Sequence, residues 1–121
     1  AQLENLDKYV ASKRKVAAEY IEHFKNVDGI DFFVEPENTF SNYWLSAVVL
    51  KDKESQLDFL QQTNDNGVMT RPIWELMNHL PMFENCENDG LKNTIWFADR
   101  VVNIPSSVRT EDLYSIKINK I

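Results

Sequence analysis

The sequence predicts an α+β fold, a small and mostly antiparallel sheet packed with helices and led by a long amphipathic helix, on three observations. Apolar residues recur at three- and four-residue spacing through residues 3–25; residues 43–50 are an almost unbroken apolar run of strand length; and short strand-like runs then alternate with helical ones, with no repeat or linker between them. A chain of 121 residues lies in the single-domain range and can bury roughly two-thirds of its unfolded surface around one core.

The first helix rests on Leu3, Leu6, Tyr9, Val10, Val16, Ala17, Tyr20, Ile21 and Phe24, with Lys8, Lys13, Arg14, Lys15 and Glu22 between them. No Ser, Thr, Asp or Asn stands ahead of its first apolar position, so it lacks a capping lead-in. Asp28-Gly29 marks a turn, and Ile30, Phe32 and Val34 a short strand before the loop containing Pro36. Residues 43–50, with Trp44 among them, read as a central buried strand. Residues 53–64 read as a helix capped by Asp52, carrying Leu57, Phe59 and Leu60 and ending at Asn66-Gly67. Val68, Met69 and Thr70 have strand chemistry that Arg71-Pro72 should end, because proline cannot donate to a sheet and biases the residue before it. After a polar turn over residues 84–90, a helix over 91–100 should pack Ile95, Trp96 and Phe97, and residues 101–104 form a short strand closed by Pro105. A last helix starts near Thr110, with Glu111 and Asp112 favourable in its first turn, and contains Leu113, Tyr114 and Ile116.

Composition excludes several functions. Thirteen basic against nineteen acidic residues give a net charge of −6, which argues against binding the phosphate backbone of a nucleic acid. No apolar run approaches the ~20 residues that span a bilayer, and no signal pattern opens the chain, so no membrane partner is expected. The single Cys86 cannot form an internal disulfide, and a lone thiol fits a reducing compartment, the cytoplasm. The start at Ala1 reads as a cut inside a longer chain.

Candidate chemistry gathers between Arg71 and Phe83. Irregular segments on a rigid scaffold often carry binding residues, and this one sets Arg71, Trp74, Asn78 and His79 within a few positions. Arg71 offers a donor fork suited to carboxylate or phosphate, or to a neighbouring acidic side chain. Trp74 can wall a pocket against a planar ligand, whereas Trp44 reads as a core aromatic. His79 reads equally as a structural hydrogen-bonding residue or a catalytic one. His23 and His79 with Cys86 have no zinc spacing, so no metal is expected. Neither Cys86, Ser106 nor Ser107 stands in a nucleophile motif, no glycine pattern cradles a phosphate, and the acidic Glu84, Glu87 and Asp89 read as a solvated turn.

The chain resembles the C-terminal small domain of the DegT/DnrJ/StrS-type aminotransferases, pyridoxal-phosphate enzymes of fold type I that aminate nucleotide-linked keto-sugars. The resemblance covers nearly the whole chain. It rests on Ala1-Gln-Leu-Glu4, Leu6-Asp7 and Lys13-Arg14, on Asn42-Tyr-Trp-Leu45, on Gly67 through Thr70-Arg71-Pro72 to Leu80-Pro81-Met82-Phe83, and on Asn103-Ile-Pro-Ser-Ser107. The wording of residues 74–83 is most similar to members that make amino sugars for bacterial surface glycans, such as the legionaminic-acid branch. Many members carry His where this chain has Asn78, with His79 one position later. Asn cannot shuttle a proton near neutral pH, and the His role of those members does not pass to His79 on the resemblance alone.

The resemblance implies that a separate large domain supplies the Schiff-base lysine, the acid facing the pyridinium nitrogen and the phosphate donors. None of the nine lysines lies in a segment similar to the family's Schiff-base motif, so the fragment should not be catalytic alone. Its implied part is to line the substrate pocket through Arg71, Trp74, Asn78 and His79 and to help exclude water. The implied partners are a nucleotide-linked keto-sugar, glutamate as amino donor and a second copy of the parent as a homodimer. Some relatives replace the lysine with His and dehydrate instead, and that position lies outside this chain. The rival reading is a stand-alone α+β ligand-binding or interaction module with residues 71–83 as its ligand edge.

Overall fold

The computed structural model describes residues 2–115. The elements run α1 (Leu6–Phe24), β1 (Ile30–Phe32), β2 (Ser46–Leu50), α2 (Lys53–Asp65), β3 (Arg71–Pro72), α3 (Lys92–Ala98), β4 (Val101–Ile104) and α4 (Thr110–Ser115), with single 3-10 turns over Gln2–Asn5 and Met77–His79. Of the last helix's expected apolar residues, Ile116 and the side chains of Leu113 and Tyr114 lie outside the described residues.

The sheet order is β1-β2-β4-β3 with every neighbouring pair antiparallel. β2 and β3 are therefore parallel to each other, joined through α2, and separated by β4, which enters the sheet last. The pairing sets Phe32 opposite Val48, Val48 opposite Val102 and Ser46 opposite Ile104. Strand side chains alternate between faces, so one face gathers the buried cluster Val48, Leu50, Val102 and Ile104 against Tyr20 and Phe24 of α1 and Phe59 and Leu60 of α2. The other face carries Ala47, Asn103 and Arg71 in one register line.

Local chemistry explains the elements. Asp52 caps α2 by accepting from Ser55 N at 2.9 Å, while Asn5 opens α1 with no side-chain cap. Inside α2, buried Gln56 donates to the carbonyls of Ala98 and Val101, both at 2.9 Å, and so fastens the α3–β4 turn. On the other side of the molecule, Ser12 of α1 donates to Asp112 at 3.0 Å and accepts from Arg109 N, while Lys15 pairs with the same carboxylate at 2.7 Å. These bonds hold α4 on α1.

Three expectations are corrected. The apolar run at residues 43–50 does not start a strand at Tyr43: Tyr43 has φ 45°, the left-handed region, and β2 begins only at Ser46. The kink lets Tyr43 take the core position beside Phe32, ring centroids 6.2 Å apart, and turns Trp44 outward, 64% exposed. Trp44 is not a core aromatic. The strand at the end of α2 is Arg71–Pro72 rather than residues 68–70, because the C-terminal turn of α2 captures those residues first. Val68 N donates to Thr63 O at 2.8 Å, Thr63 and Thr70 share a 2.6 Å hydroxyl contact, and Asn64 Nδ2 donates to Thr70 O. Pro72 is tolerated because β3 is the edge strand. In α3, finally, Ile95, Trp96 and Phe97 stay substantially exposed; Trp96 packs under Arg100, 4.6 Å from the guanidinium, and Phe97 touches Phe33.

Candidate functional site

The residues that carry the resemblance in sequence are joined to one another in space. Lys13 Nζ donates to the carbonyls of Trp44 at 3.1 Å and Ser106 at 2.6 Å, and Ser106 Oγ donates to the same Trp44 carbonyl at 3.1 Å. Burial lowers the pKa of the Lys13 amine, and the two carbonyl acceptors replace part of its hydration. One residue on, Arg14 grips Glu35 through two bonds of 2.9 and 2.7 Å and donates to Ser41 O, with its guanidinium 4.1 Å from the Phe40 ring. Arg14 and the Ser41 backbone N–H hold the Glu35 carboxyl down at about 2. Glu35 N in turn donates to the Tyr43 hydroxyl at 3.1 Å. The irregular chain ahead of β2 is thus clamped to α1 at both ends.

That clamp presents Trp44. Its indole stacks on Trp74 with centroids 6.3 Å apart and planes 25° apart, and Trp74 is 70% exposed. Arg71 extends from the edge strand into solvent, where its guanidinium donates to the Met69 sulfur at 3.4 Å. The other three arginines are committed: Arg14 to Glu35, Arg109 to Glu19, and Arg100 to the carbonyls of Lys51 and Trp96. Among the described residues Arg71 has no carboxylate partner, so the acidic-neighbour alternative is not what the geometry holds.

The remaining two candidates point elsewhere. Asn78 lines a cleft of about 380 Å³ walled by Leu76, Met77, Phe83 and Leu91, with Cys86 and the carboxylates Glu75 and Glu87 also on its lining. His79 lies outside that lining and bonds Glu75 at 2.6 Å, a structural hydrogen bond whose effect, with the Leu76 N–H, is to lower the Glu75 pKa. The four candidates therefore divide: Trp74 stacks on Trp44, Arg71 extends from the edge strand, Asn78 lines the cleft, and His79 is tied back on its own turn. Among the described residues no cluster of His, Cys, Asp or Glu could hold a metal ion, and no helix is long and apolar enough to cross a membrane. His23 is exposed beside Phe24, and Glu84, Glu87 and Asp89 are exposed turn residues.

Sequence reasoning missed Trp44 and the Lys13 clamp. A signal was present: Ser41 and Asn42 are turn formers directly ahead of the apolar run, and here Ser41 Oγ accepts from Tyr43 N and Asn42 Oδ1 from Trp44 N, both at 3.0 Å.

Residues 1–118 match the model of the DegT/DnrJ/EryC1/StrS aminotransferase family. The chain is 31% identical over 84 residues to EpsN of Bacillus subtilis (strain 168), whose name assigns it provisionally to the pyridoxal phosphate-dependent aminotransferases; the match covers 69% of this chain and 22% of EpsN. It is 28% identical over 112 residues to a GDP-perosamine synthase of Vibrio cholerae, covering 88% of this chain and 29% of that protein. The aminotransferase TlmJ from Streptoalloteichus hindustanus shares the fold with a TM-score of 0.80 at 20% identity, over 94% of this chain and 31% of TlmJ. The chain thus spans less than a third of the length of the relatives it matches.

Proposed function

This chain belongs to the DegT/DnrJ/EryC1/StrS aminotransferase family, and from that premise we propose that it is the C-terminal small domain of a longer pyridoxal phosphate-dependent aminotransferase acting on a nucleotide-linked keto-sugar. The observation that carries the reading is the pair Arg71 and Trp74, three positions apart: a guanidinium with no carboxylate partner among the described residues and an exposed indole, on a scaffold whose residues 1–118 match this family. An unpaired Arg in a chain of net charge −6 suits an anionic substrate, and the flat ring suits its planar part. Asn78 and His79 are proposed as further substrate-binding residues apart from that pair, Asn78 from the cleft it lines and His79 from the turn on which it pairs with Glu75.

Pyridoxal phosphate supplies the electron sink for amino-group transfer when it is bound. Three of the chain's lysines are already engaged. Lys13, whose amine is desolvated, is committed to two backbone carbonyls, Lys15 is paired with Asp112, and Lys53 with Asp99. This reading assigns the cofactor and the chemistry to the remainder of the proposed parent, which works as a homodimer in the cytoplasm with glutamate as amino donor. The GDP-perosamine synthase relative and the wording of residues 74–83 support a place in surface-glycan biosynthesis.

The test is an absorbance scan of the full-length protein with pyridoxal phosphate, before and after glutamate, beside the same scan of this chain. A cofactor band that glutamate converts in the full-length protein, and that the 121-residue chain does not form, is the expected result. A full-length protein that takes up no cofactor would leave the stand-alone binding module as the reading.

A further inference from the structure

We propose that Trp44 and Trp74 form one aromatic face that takes the base of a nucleoside diphosphate, with Arg71 directed at its phosphates and Lys13 as the positioning residue that fixes the face. The inference rests on the sugar-nucleotide reading above and names which part of that substrate this chain holds.

Two indoles left 64% and 70% exposed on a chain with an available core expose apolar surface that folding would otherwise bury. Their exposure is built in. Tyr43 adopts φ 45°, a conformation that disfavours a side chain with a Cβ, and the result of that strained residue is to turn Trp44 out of the strand. The Trp44 carbonyl then receives two hydrogen bonds, from Lys13 Nζ and Ser106 Oγ, both at 3.1 Å. Lys13 reaches it from α1 and Ser106 from the segment after β4, so three separate parts of the chain converge to hold one exposed ring. A ring needed only for packing would not require this.

Register places Arg71 toward the end of the sheet from which Trp44 projects. Ser46, two residues after Trp44, faces Ile104, and Arg71 faces the neighbouring Asn103, so Trp44 and Arg71 sit at the same end of the sheet. Flat π-surface with an unpaired guanidinium matches a base joined to a diphosphate, and stacking accepts any base because each has a π-face. The apolar cleft behind Asn78 is the poorer place for that ligand, since Glu75 and Glu87 on its lining repel an anion.

The experiment uses the full-length protein in a W96F background, which leaves Trp44 and Trp74 as this domain's indoles, with GDP, UDP, dTDP and inorganic pyrophosphate as probes. At least one nucleotide should quench the indole fluorescence where pyrophosphate does not. W44A and W74A should each weaken that binding, and raise KM for the nucleotide-linked sugar, by about 5- to 100-fold, with kcat within about twofold of the parent protein. K13M should raise KM in the same direction, and K13R, which can still donate to both carbonyls, should restore it. The rate of the glutamate half-reaction, which involves no sugar nucleotide, reports whether each variant is folded. Active variants whose KM and nucleotide binding are unchanged would overturn the aromatic face and leave the aminotransferase reading standing. Equal binding of pyrophosphate and nucleotides, or an indole pair that acrylamide cannot reach without nucleotide, would also overturn it. A protein without aminotransferase activity would remove the function proposed above, and the quenching measurement would still decide the face.

Discussion

Among the described residues, buried polar side chains divide into those that are satisfied and one that is not, and the division predicts opposite mutational signs. Gln56 is fully buried and serves two carbonyls, of Ala98 and Val101. Gln56→Leu keeps the volume and orphans both acceptors, so it should destabilise by about 2–4 kcal/mol, read as a lower urea midpoint. Ser46 is equally buried, but its Oγ has no hydrogen-bond partner among the described residues. Ser46→Ala should therefore be neutral or stabilise by up to about 1 kcal/mol in the same assay. A titration behaves as a third residue-scale test. Glu35 is held at about 2 against an ordinary 4.5, chiefly by its bonds from Arg14. Because the folded pKa is depressed, this stabilisation is fully present above the unfolded value and is lost as pH falls from about 4.5 through about 2. The gap in Tm between wild type and Glu35→Gln should be open near neutral pH and close across that window; a gap that stays constant would mean Glu35 acts only by packing.

Elements were legible where periodicity and packing agree and illegible where one short-range contact outcompetes propensity. Helix α1 was readable because its apolar stripe meets the sheet through Tyr20 and Phe24, and α2 because Asp52 caps it with the bond its position implies. The unbroken apolar run showed β2 as a central strand but wrongly carried Trp44 into it, since apolar character cannot reveal a left-handed residue at Tyr43. β3 was misplaced because Thr63 and Asn64, seven and six residues before Thr70, claim it by side-chain bonds that no strand pattern encodes. Of the site, Arg71 and Trp74 were visible as residue types in a telling order; Lys13's hold on Trp44 spans 31 positions and was not. The docking of α4 is of the same long-range kind. It hangs on Ser12, which is fully buried, donates to Asp112 and accepts from Arg109 N. Ser12→Ala should cost about 1–2 kcal/mol and loosen α4 before the sheet, seen as faster amide exchange in residues 110–115 with the exchange of β2 and β4 unchanged.

At the scale of the whole molecule, the apolar surface left in solvent is organised rather than scattered. Leu6 and Val10 of α1 and Phe40 beneath Arg14 border one shallow hollow, with Leu3 exposed on the turn before it, while Met69, Trp74, Met77 and Met82 are exposed between the edge strand and the turn after Met77–His79. Isolated exposed apolar residues are ordinary; contiguous ones mark surfaces that bind something. Leu57 supplies the contrast, exposed on α2 between the polar Glu54, Asp58 and Gln61. If the chain is one domain of a longer enzyme, the hollow on α1 is where the rest of that protein packs, and its exposure should exist only in the isolated chain, whereas Trp74 stays open to ligand. Hydroxyl-radical labelling of Leu3, Leu6 and Phe40 should then fall at least severalfold in the full-length protein, with Leu57 labelled equally in both. The methionines extend the test, since all three are exposed here: peroxide should oxidise them together in the chain and at separated rates in the full-length protein. Equal labelling of Leu3, Leu6 and Phe40 in the two would mean that no second domain covers α1, and the two-domain reading would fail even where the fold and the family stand.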